Sequence, residues 1–537
     1  MHYPIRPARQ SWARFDATAQ AEADDTFCPQ PRRRFVLVAA ILASALGFID
    51  GSVVSIAIPA IRSNLGASFA DAQWISNAYA LTLSALILPG GAAGDNFGLR
   101  RTFTAGIALF AVASILCAIS PGPTLLICAR AVQGVGAAFM VPGSLAIIAK
   151  AYPKKQRGRA IGIWAASSAL ATVLGPVLGG FVLSAFGDSI WRAIFAINLP
   201  LGGVAIYLLL AKVPPDAATD RRKLDLTGAA LATMAFGALA YGLTAMTAKN
   251  GQLSIGWPAA FILAGVVLLA VFIFWEWRQE QPMADLSLFR SLSFAGANAS
   301  TFFLYFALSA ILFYLPMLLI AGWGLSAAEA GFIFVPLSGA IALLSGPMGT
   351  LADRIGPRLP ITAGSLLVGA AFAGLGAVTG AGYHGFWSAI FPMMVVMGFG
   401  MGLVVSPLST AVMTSVEDKD TGAASGINNA VSRIAGLIAV AAMGVVATAR
   451  YASKLGEHSG TLPGFGEVAR ALPAELDAQR IAASDAAYSA VAWVTCVLCL
   501  LSAAIAWMTV PGTPAATADS RQSTETRSAA QRVSRSA

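Results

Sequence analysis

Charge is what this chain has least of. Asp, Glu, Lys and Arg make up 11% of its 537 residues, and hydrophobic side chains make up 57%. Soluble domains hold roughly 25% charged residues. So few ionic groups cannot coat a folded surface, which excludes a soluble globular protein and leaves lipid as the solvent. Histidine is scarcer still. His2, His384 and His458 all lie in tails or between apolar runs, so a histidine relay or metal centre within the apolar segments is excluded. Cysteine offers only Cys28, Cys117, Cys128, Cys496 and Cys499. Cys496 and Cys499 have the C-x-x-C spacing, but no histidine or second pair lies nearby. They read as small apolar residues in a lipid-facing helix. There is no Walker loop and no H-E-x-x-H, and the glycines of Gly398-Phe-Gly400-Met-Gly402 lie in apolar helix. No nucleotide, metal or cofactor is expected, and no enzymatic activity.

What the chain does have is length in apolar runs. Fourteen segments, from 35–60 to 486–509, run about 18–28 residues each, the length a roughly 30 Å hydrocarbon layer requires. None shows β alternation, so helices alone satisfy their backbone. Lys and Arg concentrate in alternate loops. The stretch Lys150 to Arg159 alone holds Lys150, Lys154, Lys155, Arg157 and Arg159. With that bias facing the cytoplasm, both termini lie inside. The net charge of +9 therefore reads as membrane orientation, and nucleic acid is not an expected partner. The tails, 1–34 and 511–537, are polar.

Asp50 is the only acid well inside any of these runs. A charged carboxylate there costs about 2.5 kcal/mol or more, and the commonest use of such a group is to take up and release a proton. Arg130, six residues into span four, falls within about 6 Å of the same depth at 1.5 Å rise per residue. Arg stays protonated, so Asp50 is the titrating partner. Gln133 is either an ordinary interhelical hydrogen bonder or a third member of this site. Arg433 lies deep in span thirteen near Asn428 and Asn429, and no acid of the second half matches its depth. Its partners are backbone carbonyls, an Asn side chain or a bound substrate. Trp74, Tyr79, Trp164, Tyr305 and Tyr314 are candidates to stack on a flat ligand, or else packing residues. Pro176 lacks an N–H and bends its helix. Gly175, Gly179 and Gly180 beside it permit close helix approach.

Two loops repeat one pattern. Gly91-x-x-x-Asp95-x-x-Gly98-x-Arg100-Arg101 recurs 258 residues later as Gly349-x-x-x-Asp353-Arg354-x-Gly356-x-Arg358. Two copies, each after an even-numbered span, indicate duplicated halves of six helices. Here the chain resembles the major facilitator superfamily, whose signature loop is G-x-L-A-D-R-x-G-R-[RK]. The second copy matches well; the first carries Asn96 and Leu99 at basic positions. Phe48-Ile-Asp50-Gly-Ser-Val53-Val54, Leu126-x-x-x-Arg130-x-x-Gln133-Gly134, Gly175-Pro176-x-x-Gly179-Gly180 and Trp191-Arg192 are similar to motifs of the fourteen-helix drug/proton antiporter branch.

The resemblance implies an all-α membrane protein with two six-helix bundles, 35–212 and 286–510. An inserted helix pair lies in 213–285. It implies a multi-pass protein of the cytoplasmic (inner) membrane that exports small amphipathic compounds, antibiotics among them, by proton-coupled alternating access. An importer or passive facilitator is the alternative. Its partners would be protons, a small-molecule substrate and membrane lipid, and a monomer would suffice. Asp95 would meet the N-terminus of span thirteen near Thr421 as a conformational latch, and Gly175 to Gly180 would seal the outer bundle contact.

Overall fold

A computed structural model describes residues 26–512 apart from 217–224, 247–254, 418–419, 460 and 470–471. The outer parts of both tails therefore lie outside the described residues. Fourteen helical stretches are long and apolar enough to cross a membrane, and no strand occurs among the described residues. In chain order they are α1 Gln30–Leu65, α2 Phe69–Phe97, α3 Leu99–Ala118, α4 Pro123–Ala151 and α5 Lys154–Phe186. The sixth span is built from α6 Trp191–Ala196 and α7 Asn198–Lys212. Then come α8 Leu226–Ala245, α9 Gly256–Arg278 and α10 Leu292–Met317. The tenth span is α11 Ala327–Gly331 followed by α12 Phe334–Ile355. Last are α13 Arg358–Gly380, α14 Phe391–Thr414, α15 Thr421–Leu455 and α16 Ala474–Thr509.

The first helix begins earlier than hydropathy predicts. Arg32 to Arg34 belong to α1, not to a polar tail. Arg33 is buried. Its Nε donates to the Cys28 carbonyl at 3.1 Å, and Tyr152 Oη donates to the Arg33 carbonyl at 3.0 Å. A paired arginine can sit inside an element where a composition rule excludes it.

The duplication is visible as matched backbone devices. Gly98 and Gly356 both take positive φ, +91° and +85°, immediately before the next span. Only glycine does this without strain. Two residues on, Arg100 Nε donates to the Leu209 carbonyl at 2.9 Å, and Arg358 Nε donates to the Val510 carbonyl at 2.7 Å. Each arginine thus grips the end of the last helix of its own half. Free carbonyls at a helix C-terminus are the expected target of such a cation.

The halves meet along two equivalent seams. α2 packs on α15, and α5 packs on α11 and α12. Under the repeat α2 corresponds to α11–α12 and α5 to α15, so the seams are related by the internal symmetry. The inserted pair covers one of them: α8 lies against both α2 and α15, while α9 packs mainly on α8. Ala240 of α8 joins Leu437 and Ala441 of α15 in one apolar cluster, with Trp74 and Leu81 of α2 against it. Trp74 also lies tilted against Tyr241 of α8, 6.1 Å between ring centres, and so packs on this seam.

The second seam is uneven along its length. At the end where α5 finishes and α11 starts, a Cβ on Gly180 would lie 2.3 Å from the Ala327 carbonyl oxygen, and one on Gly331 would lie 2.8 Å from that of Pro176. Toward the other end, Cβ atoms on Gly158, Gly162, Gly339 or Gly346 would meet nothing within 4 Å. The halves are closed at the first face and part toward the face that carries the two repeated loops. Phe465, in the segment between α15 and α16, reinforces the closure. It is buried against Phe69, Tyr314 and Tyr451, and Arg62 Nη1 donates to its carbonyl at 2.8 Å.

Asp216, just after α7, was not anticipated from sequence. Its carboxylate accepts from the backbone N–H of Leu99 and of Arg100, both at 2.9 Å, and from Lys150 Nζ at 3.0 Å. Burial pushes its pKa up, but those three donors outweigh burial and hold it below the ordinary 3.8. A carboxyl depressed in the fold stabilises it above the unfolded pKa, and that contribution fades as pH falls through about 4 toward the folded value. Asp216→Asn should therefore lower the Tm at pH 7, and the difference from the parent should narrow as pH falls below about 4. Thermal melts across a pH series check this; a pH-independent difference would contradict it.

The C-x-x-C cysteines are small buried residues, as expected, and only their lipid-facing context is corrected. Cys496 and Cys499 are buried, as are Cys28 and Cys117, while Cys128 is exposed. α16 packs tightly on α13, which turns the C-x-x-C face inward instead of toward lipid.

Candidate functional site

α1, α3 and α4 bring together the polar side chains that the apolar runs isolate. Asp50 is fully buried, Arg130 is 2% exposed and Gln133 is fully buried. Arg130 Nη1 donates to Asp50 Oδ2 and, at 2.5 Å, to Gln133 Oε1. Gln133 Nε2 donates to Asp50 Oδ1 at 3.0 Å. Both carboxylate oxygens are thus occupied, and the three side chains form a closed ring. The i, i+3 spacing puts Arg130 and Gln133 on one face of α4. Small residues around them let the helices approach. A Cβ on Gly134 would lie 2.4 Å from the Tyr79 carbonyl oxygen.

A second set of groups holds the ring. Arg130 Nε donates to the Ile75 carbonyl at 3.0 Å. Gln133 Nε2 also donates to Ser114 Oγ at 2.9 Å, and Asn198 Nδ2 reaches the same hydroxyl at 3.2 Å. The Arg130 guanidinium lies 4.4 Å from the centre of the Tyr79 ring. Ser114 and Asn198 were not singled out in the sequence. One serine in an apolar helix carries no pattern, although Asn198 belongs to the motif that runs on from Trp191-Arg192 as x-x-Phe195-x-Ile197-Asn198. The first two residues of that motif act elsewhere. Trp191 Nε1 and Arg192 Nη1 both donate to Asn64 Oδ1, at 3.1 and 2.8 Å, and so tie span six to the end of α1.

The glycine–proline motif of α5 touches both the ring and the seam. A Cβ on Gly175 would be 3.0 Å from Ser52 Oγ, and one on Gly179 would be 2.2 Å from Val53 Cγ2. α5 therefore lies on the turn of α1 that carries Asp50. One residue further, Gly180 contacts the other half. Pro176 lies within the same helix.

A small cavity of about 140 Å³ opens in the second half, lined by Tyr305, Ser409, Ser425, Asn428, Asn429 and Ser432 among others. Asn428 Nδ2 donates to Thr301 Oγ1 at 2.8 Å, which fixes it between α15 and α10. Arg433 is the next residue of α15 after Ser432. Among the described residues it makes no ion pair and no hydrogen bond, and its Nε is buried without a partner.

Three sequence expectations are corrected here. Tyr314 does not face a ligand cavity. Its hydroxyl donates to the Val440 carbonyl at 2.5 Å and accepts from Gln73 Nε2 at 3.3 Å, so it is part of the α2–α15 seam. Trp164 donates through Nε1 to Ser44 Oγ at 2.8 Å and joins α5 to α1. The implied latch is not formed in this structure. Asp95 is exposed and makes no hydrogen bond or ion pair among the described residues, and Asp353, Arg354 and Arg101 are exposed as well. The repeated loops instead work within each half, through Gly98, Gly356, Arg100 and Arg358. Gly91 and Gly349 are packing positions, facing Pro142 and Ser406.

Two six-helix halves, an inserted pair and a buried acid–arginine ring between apolar helices define a polytopic secondary transporter. The sequence profile of the Major Facilitator Superfamily matches residues 40–243 and 226–440, and the chain belongs to that superfamily. It is 33% identical over 427 residues to the multidrug resistance protein Stp of Mycobacterium tuberculosis, covering 78% of this chain and 77% of that one. It is likewise 33% identical over 433 residues to a probable actinorhodin transporter of Streptomyces coelicolor, with 78% and 73% covered. Its fold is similar to that of a bacterial homologue of the human lysosomal transporter Spinster. The TM-score there is 0.66 at 17% identity, over 89% of this chain and 97% of that one.

Proposed function

We propose that this protein is a proton-coupled exporter of small amphipathic compounds, of the fourteen-helix drug/proton antiporter branch. The observation that carries the reading is the Asp50–Arg130–Gln133 ring. A proton on Asp50 turns an acceptor oxygen into a donor and removes the charge that holds Arg130. Proton uptake and the packing of α1 on α4 then become one event, and α5 carries it to the seam through Gly175 and Gly180. With both halves closed at one face and parted at the other, the substrate enters where they part. The Lys/Arg-rich loops lie on that side, which supports a cytoplasmic position for it and for both termini, in a cell whose inner membrane the protein spans.

The energy is adequate. One proton crossing 100 mV supplies about 2.3 kcal/mol, enough to hold a roughly 50-fold gradient of a neutral substrate. The named relatives, a multidrug resistance protein and a probable antibiotic transporter, support export over import. The test is purified protein in vesicles, with the neutral methyl ester of 1-pyrenebutyrate as a fluorescent probe and an imposed pH gradient. Accumulation that vanishes on adding a protonophore supports the exporter. Mere equilibration of the probe, with or without the gradient, would establish a passive facilitator instead.

A further inference from the structure

Among the described residues, Arg433 is a charge without a counter-charge. It lies twelve residues beyond Thr421, about 18 Å along α15 at 1.5 Å per residue, which is mid-membrane depth. Asp50 is the one acid of comparable depth, and both of its oxygens are already taken by Arg130 and Gln133. Asn429 and Arg433 stand four residues apart on one face of α15, and Asn429 lines the cavity. Tyr305 lines the cavity and so does Ser432, the neighbour of Arg433. The rest of the polar lining is hydroxyl and amide, with no carboxylate. This cavity of the second half therefore borders one positive charge, offers hydroxyl and amide hydrogen bonds, and carries the ring of Tyr305.

An unpartnered guanidinium at this depth is costly, and a buried N–H with no acceptor adds to the cost. A ligand carboxylate removes the first penalty, since the two accessible Nη groups of Arg433 match its two oxygens. We infer that the cavity selects aromatic amphiphiles bearing one acidic group, with Arg433 as the anion-recognising residue. The inference rests on the export reading for its use in transport, but not for binding. In transport it has a consequence: a monoanion leaving as a proton enters moves two charges inward, which doubles the electrical drive.

The experiment measures binding of 1-pyrenebutyrate, its neutral methyl ester and a pyrenylbutyl-trimethylammonium salt to the full chain in nanodiscs at pH 7. The parent protein is expected to prefer the carboxylate over the ester by about tenfold, the size of one charge-assisted bidentate contact. Arg433→Gln should bring that ratio to near one with ester affinity preserved, and Arg433→Lys should keep part of the preference. A parent that binds the three probes equally, prefers the ammonium or binds none overturns the inference. So does an Arg433→Gln variant that weakens all three alike while Arg433→Lys does the same. Vesicle accumulation of the ester against a pH gradient, without carboxylate preference, would sink this inference and leave the exporter standing. Carboxylate-selective binding without gradient-driven movement would do the reverse.

Discussion

Asp50→Asn is expected to abolish gradient-driven export while leaving the protein in the membrane. The loss should be the whole gradient that one proton sustains, about 50-fold at 100 mV. Insertion persists because it depends on the hydropathy of the spans, and Asn removes a charge from one of them. The substitution has a second cost. It leaves Arg130 buried without its counter-ion, which destabilises by about 3–5 kcal/mol in comparable buried pairs. Loss of export could then reflect a damaged bundle and not a missing proton carrier. The double change Asp50→Asn with Arg130→Gln separates these. Removing both charges should recover most of the Tm without recovering export. The measurement is probe accumulation in vesicles beside a thermal melt of each variant. Export by Asp50→Asn at the parent level would remove Asp50 from the mechanism.

Gly180→Leu is the second large effect. Its Cβ would be placed 2.3 Å from the Ala327 carbonyl oxygen and 2.9 Å from the carbon. Both neighbours are backbone, which cannot swing aside as a side chain can, so α5 and α11 must separate. Close packing leaves no slack to absorb this, and overpacking typically costs about 1–3 kcal/mol. If the cycle requires closure at this face, that penalty falls on the closed state alone and shifts the equilibrium by about tenfold or more. Export should fall by a similar factor with the Tm of the first half unchanged. Gly162→Leu is the matched control, because a Cβ there meets nothing within 4 Å. Equal effects at the two glycines would show that side-chain bulk on α5, and not closure at Gly180, limits transport.

Some of this site was legible in the chain. Asp50 announces itself because a lone carboxylate is expensive in an apolar run. Arg130 follows from counting residues in from each membrane face, since helix rise converts number into depth. What counting cannot give is rotation about the helix axis. Gln133 was equally compatible with an idle hydrogen bond, and only the packing of α4 on α1 shows it contacting both partners. Tyr314 and Trp164 show the converse. Aromatic rings in apolar helices look alike in sequence, and which of them line a cavity depends on the face each helix turns inward. The repeated loops are legible as a pattern, but the contacts they make in this structure are not. Arg100 and Arg358 reach carbonyls at the end of their own half's last helix, residues more than a hundred positions away. Asp216 had no pattern at all; its importance comes from the turn at Gly98, which aims two N–H groups at it.

The amino-acid order by itself determined the solvent, the number of crossings and the duplication, because burying a backbone in lipid forces long apolar helices of set length. It also determined that one acid and two arginines lie where charge is costly. The tertiary structure decided which of those charges are neutralised. Asp50 meets Arg130 and, among the described residues, Arg433 meets no acid, since pairing in a low-dielectric interior depends on distances of a few ångströms that only helix packing sets.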